Sequence, residues 1–352
     1  MPLSNAQLAD LLYGSADNFE DNKQKALRRA GRYALVWEEE AHEILASGRS
    51  LRDLPAVGPW VARQIAEWIE DPPEFSEPDP LRSGFITFAE AQSILAEHPE
   101  YRGGLRGDLQ MHSTYSDGTV PIAGMAAAAC ELGYEYIAMT DHSKGLRIAG
   151  GIDEAELLVQ GQEIHDVNAE MSKLDGDLTV LWSTELNLGM NGEADMDPAA
   201  LKELDIVVGS FHSKLRLKTD QTERALGAVR NPEVQIIGHP SGRMFGVRHG
   251  VQADWPRVIE EGALYGKAFE INAQPNRQDL SLEKLQLARD AEVMISIGTD
   301  AHSVGELHNV DLSLAAAAAA GIPKERILNF KPLPELLEWV GESRELAASR
   351  ED

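Results

Sequence analysis

Residues 107–118 read GDLQMHSTYSDG, a short apolar stretch that closes on Gln110 and His112 and runs into Asp117. Two later stretches end in the same currency of side chains. YIAMTDHS (136–143) closes on Asp141 and His142, and VMISIGTDAHS (293–303) on Asp300 and His302. Four more apolar runs lie between them: LTVLWSTE (178–185), LDIVVGSFH (204–212), VQIIGHP (234–240) and KAFEIN (267–272). They alternate with amphipathic segments such as EAELLVQGQEIHDVNAEMSKL (154–174) and VDLSLAAAAAAGIP (310–323). Continuous apolar runs suit parallel strands buried on both faces. Seven strand–helix units over residues 105–352 predict a closed (β/α)7 TIM-like barrel, with the six-alanine run as a helix ended by Gly321 and Pro323.

In such a barrel every strand ends on one face, where active sites are built. Gln110, His112, Asp141, His142, Glu185, His212, His239, Asn272, Asp300 and His302 all stand at strand ends, with Asp117 in the first loop. Neutral imidazole and carboxylate are ligands for Zn²⁺, Mn²⁺ and Fe²⁺. Gln110, His112, Asp117, His142, Glu185, His212, His239, Asp300 and His302 are more ligands than one ion takes, so two or three divalent ions are expected. Adjacent ions activate water and stabilise charge developing at phosphorus, which makes phosphoester hydrolysis the expected chemistry. A lone histidine at a strand end is usually structural. Five of the chain's ten histidines at five strand ends beside acids are not read that way. His42, His98, His165, His249 and His308 lack such partners and read as structural or surface residues.

The order DLQMHSTYSDG … TDHS … STEL … SFHS … GHP … GTDAH resembles the motif series of the PHP (polymerase and histidinol phosphatase) family over residues 105–352. It is most similar to the PHP domain at the C-terminus of bacterial family X DNA polymerases, which resemble this chain in having glutamine where other members have the first histidine of an HxH pair. The resemblance implies a distorted seven-stranded barrel with a trinuclear metal site. One ion would be held by His112, Glu185 and Asp300 with Gln110 in the fourth place. A second would take Glu185, His212 and His239, and a third Asp117, His142 and His302. His112, His142, Glu185 and Asp300 are the expected catalytic residues. An amide oxygen is a weaker and harder ligand than imidazole, so the first ion is expected to be labile, or Mn²⁺ rather than Zn²⁺.

Phosphate also needs cationic donors. Lys144, Arg147, Lys214, Arg216, Arg243 and Arg248 all lie in loops beyond strand ends. Arg147, Lys214, Arg243 and Asn272 are the substrate-binding candidates, Arg243 first, because a guanidinium binds phosphate bidentately.

Upstream, EDPPEFSEPDP (70–80) packs four prolines and five acids into eleven residues and reads as a stiff linker. It divides a helical unit (1–75) from a linker with one short helix (76–104) and the barrel (105–352). Thr87 and Glu90 form a capping-box pattern for that helix. LRDLPAVGPWVARQIAEWI (51–69) resembles a helix-hairpin-helix element, which implies contact of Ala56, Val57 and Gly58 with a DNA phosphate. Ala56 stands where that element usually has its first glycine. The palm and thumb of a polymerase are absent. Residues 1–104 hold 10 basic against 18 acidic side chains, although Lys23, Lys25, Arg28, Arg29 and Arg32 cluster on one helix.

At 352 residues the chain has material for a large core, and its net charge of −26 excludes a general DNA-coating role. It shows neither a signal peptide nor an apolar stretch of membrane-spanning length, and its one cysteine precludes an internal disulfide; a cytoplasmic protein is expected. The resemblance implies a metal-dependent phosphoesterase acting on nucleic-acid ends, a 3′–5′ exonuclease or 3′-phosphatase of the DNA-repair kind. The alternative is a small-molecule phosphomonoesterase of the histidinol-phosphatase type. An inactive scaffold barrel is disfavoured, because buried charges without a purpose are costly.

Overall fold

Seven parallel strands pair in sequence order in the computed structural model, which describes residues 2–73, 78–174 and 178–350. Residues 74–77 of the expected linker lie outside the described residues. The strands are β1 Gly107–Met111, β2 Tyr136–Met139, β3 Thr179–Asn187, β4 Ile206–Ser210, β5 Ile236–Gly238, β6 Ala268–Asn272 and β7 Met294–Gly298. A parallel bridge between Met111 and Ala301 closes the ring, with the Asp300 N–H donating to the Gln110 carbonyl at 2.9 Å. Asp108 reinforces the seam, accepting from the Thr299 hydroxyl at 2.5 Å and its N–H at 3.1 Å.

The period-two alternation of a strand explains why one end of this barrel is oily and the other polar. On β4 the residues sharing a face run Ile206, Val208, Ser210, then His212 beyond the strand; on β6 they run Ala268, Glu270, Asn272. Ile206, Val208, Ile236, Ala138 and Leu181 form an apolar plug, closed below by Leu336 and Val340 of the helix Leu333–Ala348. The opposite faces pack on the surrounding helices. The alanine-rich helix Val310–Ala320 ends at Gly321, whose φ of 68° is the left-handed cap that glycine accepts readily.

The N-terminal unit holds α1 Asn5–Ser15, α2 Asp21–Tyr33, α3 Ala41–Ala46 and α4 Pro59–Glu70 around Leu8, Leu12, Leu27, Trp37, Ile44 and Ile65. A fifth helix, α5 Phe88–Glu97, starts at Thr87 with the capping box closed, and its Phe88, Ala91 and Leu95 join the barrel core. The helical unit docks on the loop after β5. The Phe245 ring meets Tyr13 and Phe85 edge-on at 5.4 and 5.2 Å, and Arg82 bonds Asp10 at 2.5 Å. Gly246 (φ 65°) lies so close beneath Tyr13 that a Cβ there would stand 2.4 Å from the ring.

Candidate metal centre

Glu185, the seventh residue of β3, is wholly buried at the polar end of the barrel. Four imidazoles surround its carboxylate. His239 Nε2 and His212 Nε2 lie 2.6 and 3.1 Å from Oε1, and His142 Nδ1 and His112 Nε2 lie 3.1 and 3.5 Å from Oε2. Burial raises the Glu185 pKa, but His142, His212 and His239 outweigh it and hold the carboxyl well below its usual range. A single carboxylate therefore bridges ligands from β1, β2, β4 and β5.

Asp117 forms a second hub from the loop after β1. Its Oδ1 is 3.2 Å from His302 Nε2, 3.5 Å from His142 Nε2 and 4.0 Å from His112 Nδ1. Asp141 is not among the groups gathered there. It is buried under the loop and accepts from Ser113 N–H and Oγ, Ser116 Oγ and Gln160 Nε2, which pins the segment that carries Asp117. The third hub, Asp300, has Oδ1 3.1 Å from His112 Nε2. His239 (φ 24°) and Asp300 (φ 55°) are both held in the left-handed region, which is disfavoured for non-glycine residues and common at functional sites.

Three groups of side chains could each hold a cation: His112–Glu185–Asp300, His142–Glu185–His212, and His112–Asp117–His142–His302. They overlap more than the sequence grouping, with His112 and His142 shared between hubs. The donor set fits divalent metal on a second count. Buried nitrogens of His112 (Nδ1), His142 (Nδ1) and His239 (both) have no hydrogen-bond partner, which buried polar atoms seldom tolerate. His239 Nε2 approaches Glu185 closely without hydrogen-bond geometry, as two ligands of one ion would. The rings are oriented from behind: His302 Nδ1–H donates to the Asp300 carbonyl at 2.8 Å and His212 Nδ1–H to Asn187 Oδ1 at 3.3 Å. Burial takes the His142 ring down to about 4, against the pull of Glu185. His302, although partly buried, is pushed up to about 9 by Asp117 and Asp300.

Gln110 departs from its expected place. The end of its amide lies against both oxygens of Glu270, 3.1 Å from Oε2, so the amide is turned to the barrel interior. Glu270 was not anticipated. It is 1% exposed, also accepts from the His239 N–H at 2.6 Å, and has its carboxyl held well above the usual range by burial and by Asp300. Asn272 Nδ2 bonds Asp300 Oδ2 and Glu270 Oε2, both at 3.2 Å, and thus orients carboxylates. Arg277, also missed, places Nη1 2.7 Å from Asp300 Oδ2. The signal for both was present in EINAQPNR (270–277), two polar positions flanking a strand end already marked by Asn272.

Arg243 corrects the leading substrate-binding expectation. Its guanidinium is buried 4.0 Å above the Phe85 ring and donates to the carbonyls of Arg277, Gln278 and Gly84, so it fastens the linker to the barrel. Arg147 and Lys214 are exposed on loops, and Lys144 pairs with Glu154 at 2.6 Å. In the hairpin, Ala56 takes φ 63°, the conformation a glycine would supply, but the Val57 N–H is bonded to the Leu54 carbonyl at 3.2 Å. Val57 belongs to the helical core, and Gly58 is the N-cap of α4.

Known proteins share this arrangement of sequence. The PHP domain profile matches residues 108–236. The chain is 36% identical over 235 residues to the DNA polymerase/3′-5′ exonuclease PolX of Bacillus subtilis (strain 168), covering 66% of this chain but only 40% of that protein's length. It is 27% identical over 238 residues to a probable phosphatase of Thermoanaerobacter sp. (strain X514), covering 64% of this chain and 90% of that one. A solved structure of histidinol phosphate phosphatase from Lactococcus lactis, complexed with Zn, L-histidinol and phosphate, matches with 17% identity and a TM-score of 0.41, over 69% of this chain and 93% of that one. Residues 108–236, from β1 to the start of β5, therefore form a PHP domain within this chain.

Proposed function

We propose that the protein hydrolyses phosphoester bonds at nucleic-acid ends, using divalent cations held by His112, Asp117, His142, Glu185, His212, His239, Asp300 and His302. The observation that carries the reading is the buried Glu185 carboxylate within 3.5 Å of four imidazoles. Such an assembly is expensive to bury without cations to share. Divalent ions there supply Lewis acidity toward a phosphoester oxygen and activate water.

The chain's own groups do the rest. Arg277 and Asn272 fix Asp300, Asp141 fixes the Asp117 loop, and the Asp300 carbonyl fixes the His302 ring. The exonuclease named among the relatives supports nucleic-acid ends as substrate, and the phosphatases support the same bond class. A second reading, small phosphomonoesters, is favoured by the net charge of −26, which repels polyanions.

Metal-replete protein with Mn²⁺ offered an end-labelled single-stranded oligonucleotide, a generic phosphomonoester and histidinol phosphate separates the two. Stepwise shortening of the oligonucleotide supports the first reading. Phosphate release from the small esters alone supports the second, and no turnover on any substrate removes both. Metal content by mass spectrometry identifies the ions, with Mn²⁺, Zn²⁺ and Fe²⁺ the candidates for this ligand set.

A further inference from the structure

Two cavities adjoin where the linker crosses the loops that follow β4 and β5. One, about 460 Å³, is lined by Leu81, Phe85, Arg248, Trp255 and Lys284 among others. Its neighbour, about 550 Å³, is lined by Arg216, Lys218 and Arg248. They share Leu81, Arg248, His249 and Gln252 as walls. In a chain with 58 acidic and 32 basic residues, the lining contains one carboxylate, Glu283. Arg216, Lys218, Arg248 and Lys284 form no ion pair among the described residues. Lys284 instead stands 5.4 Å above the Trp255 ring, and Arg248 donates from Nε to the Gly242 carbonyl at 2.7 Å and from Nη1 to Met244 Sδ at 3.6 Å.

We propose that the two cavities form one cationic groove that takes the phosphodiester backbone of single-stranded nucleic acid and leads it to the metal cleft. The proposal rests on the phosphoester-hydrolase reading and names a polynucleotide, rather than a small ester, as the substrate. Three observations carry it. Each cavity is of ligand-binding size. Unpaired cations over an aromatic face are the composition of single-strand grooves, where phosphates meet charge and bases meet rings. The groove also adjoins the metal centre: Arg248 Nε donates to the Gly242 carbonyl at 2.7 Å, and the Gly242 N–H donates to the carbonyl of His239 at 2.9 Å. The overall acidity then helps rather than hinders, because it favours a lane where cations outnumber acids.

The test uses metal-replete full-length protein and a fluorescein-labelled single-stranded oligonucleotide with phosphorothioate linkages, which resist hydrolysis. Binding is followed by anisotropy across a salt series for the wild type, for Lys218→Glu/Lys284→Glu and for the charge-keeping Lys218→Arg/Lys284→Arg. The reversal is expected to weaken binding about tenfold or more and to flatten the salt slope by about 0.7 for each phosphate that is no longer neutralised. The arginine pair is expected to bind as the wild type does. Unchanged affinity and salt slope in the reversal variant overturn the groove, and so does weakened binding in the arginine pair. Turnover of an ordinary oligonucleotide and of p-nitrophenyl phosphate by the wild type is read separately. A wild type that hydrolyses the oligonucleotide but whose binding ignores the reversal defeats the groove and keeps the enzyme reading. Salt-sensitive binding that the reversal abolishes, without any turnover, does the opposite.

Discussion

Glu185 and Asp117 both gather imidazoles, but they are held in place by different means. Glu185 is a strand residue without exposure, so its position is set by the pairing of β3 with β4 and by every core contact beneath it. Asp117 is a loop residue with a side chain 37% exposed, fixed at second hand by Asp141 gripping Ser113 and Ser116. The difference teaches which end of the cleft is held by the sheet itself and which through a hydrogen-bonded loop. Glu185 is a preorganised bridge; Asp117 is a half-exposed clasp whose place depends on the grip of Asp141.

The sharpest break of that comparison is Glu185→Gln, which keeps shape and removes charge. If Glu185 bridges two ions, turnover is expected to fall by about 10⁴-fold or more, as when one member of a catalytic unit is deleted. Metal content should fall with it, while the circular-dichroism melt remains cooperative. Turnover within a factor of ten of wild type would dissolve the central role. Asp117→Asn removes the other hub and is expected to act less: one ion weakened, and activity down about 10–100-fold, the range seen when support around a metal is removed. Equal losses at the two positions would mean that the loop holds its hub as firmly as the strand does.

The sheet-held end is also the part that was legible in sequence. Strand ends announce themselves as apolar runs closing on polar residues, and a barrel brings such ends to one face whatever their separation. What lay outside that logic is what pairwise packing decides. Glu270 is one more inward residue of β6, and only the closing of the Gln110 amide and the His239 N–H around it shows its position. Arg277 lies beyond β6 on a loop whose path no periodicity encodes. Arg243 has the right charge and the right loop, yet Phe85 and the Gly84 carbonyl arrive from the linker to occupy its guanidinium. Charge and strand position are written locally; the partner that claims a side chain is not.

Protons should distinguish the two hubs as well. His302, beside Asp117, has its pKa pushed up to about 9, so below that pH the metal-free ring carries a proton that a cation must displace. His142, facing Glu185, is taken down to about 4 and is already neutral near pH 7. Metal uptake at the Asp117 end is therefore expected to release close to one proton at pH 7–8, with apparent affinity rising about tenfold per pH unit until about pH 9. Calorimetry of Mn²⁺ binding in buffers of different ionisation enthalpy measures it, and His302→Gln should remove that dependence. Proton release that persists in the variant would assign the proton elsewhere.

The smallest effect is expected at Gln110, and it tests whether the sheet-held end is complete. With its amide turned to Glu270, Gln110 leaves the His112–Glu185–Asp300 group with three charged or aromatic donors. Gln110→His would present an imidazole, a softer ligand with a stronger preference for Zn²⁺. Occupancy of one ion should rise and its exchange against chelator should slow, within about tenfold. The Glu270 carboxyl, losing its amide partner, becomes the obstacle, and Gln110→His/Glu270→Gln should therefore hold the ion better than Gln110→His alone. If neither variant changes occupancy or metal preference, the place beside His112 is not a ligand position in this barrel, and the glutamine serves the core rather than the cleft.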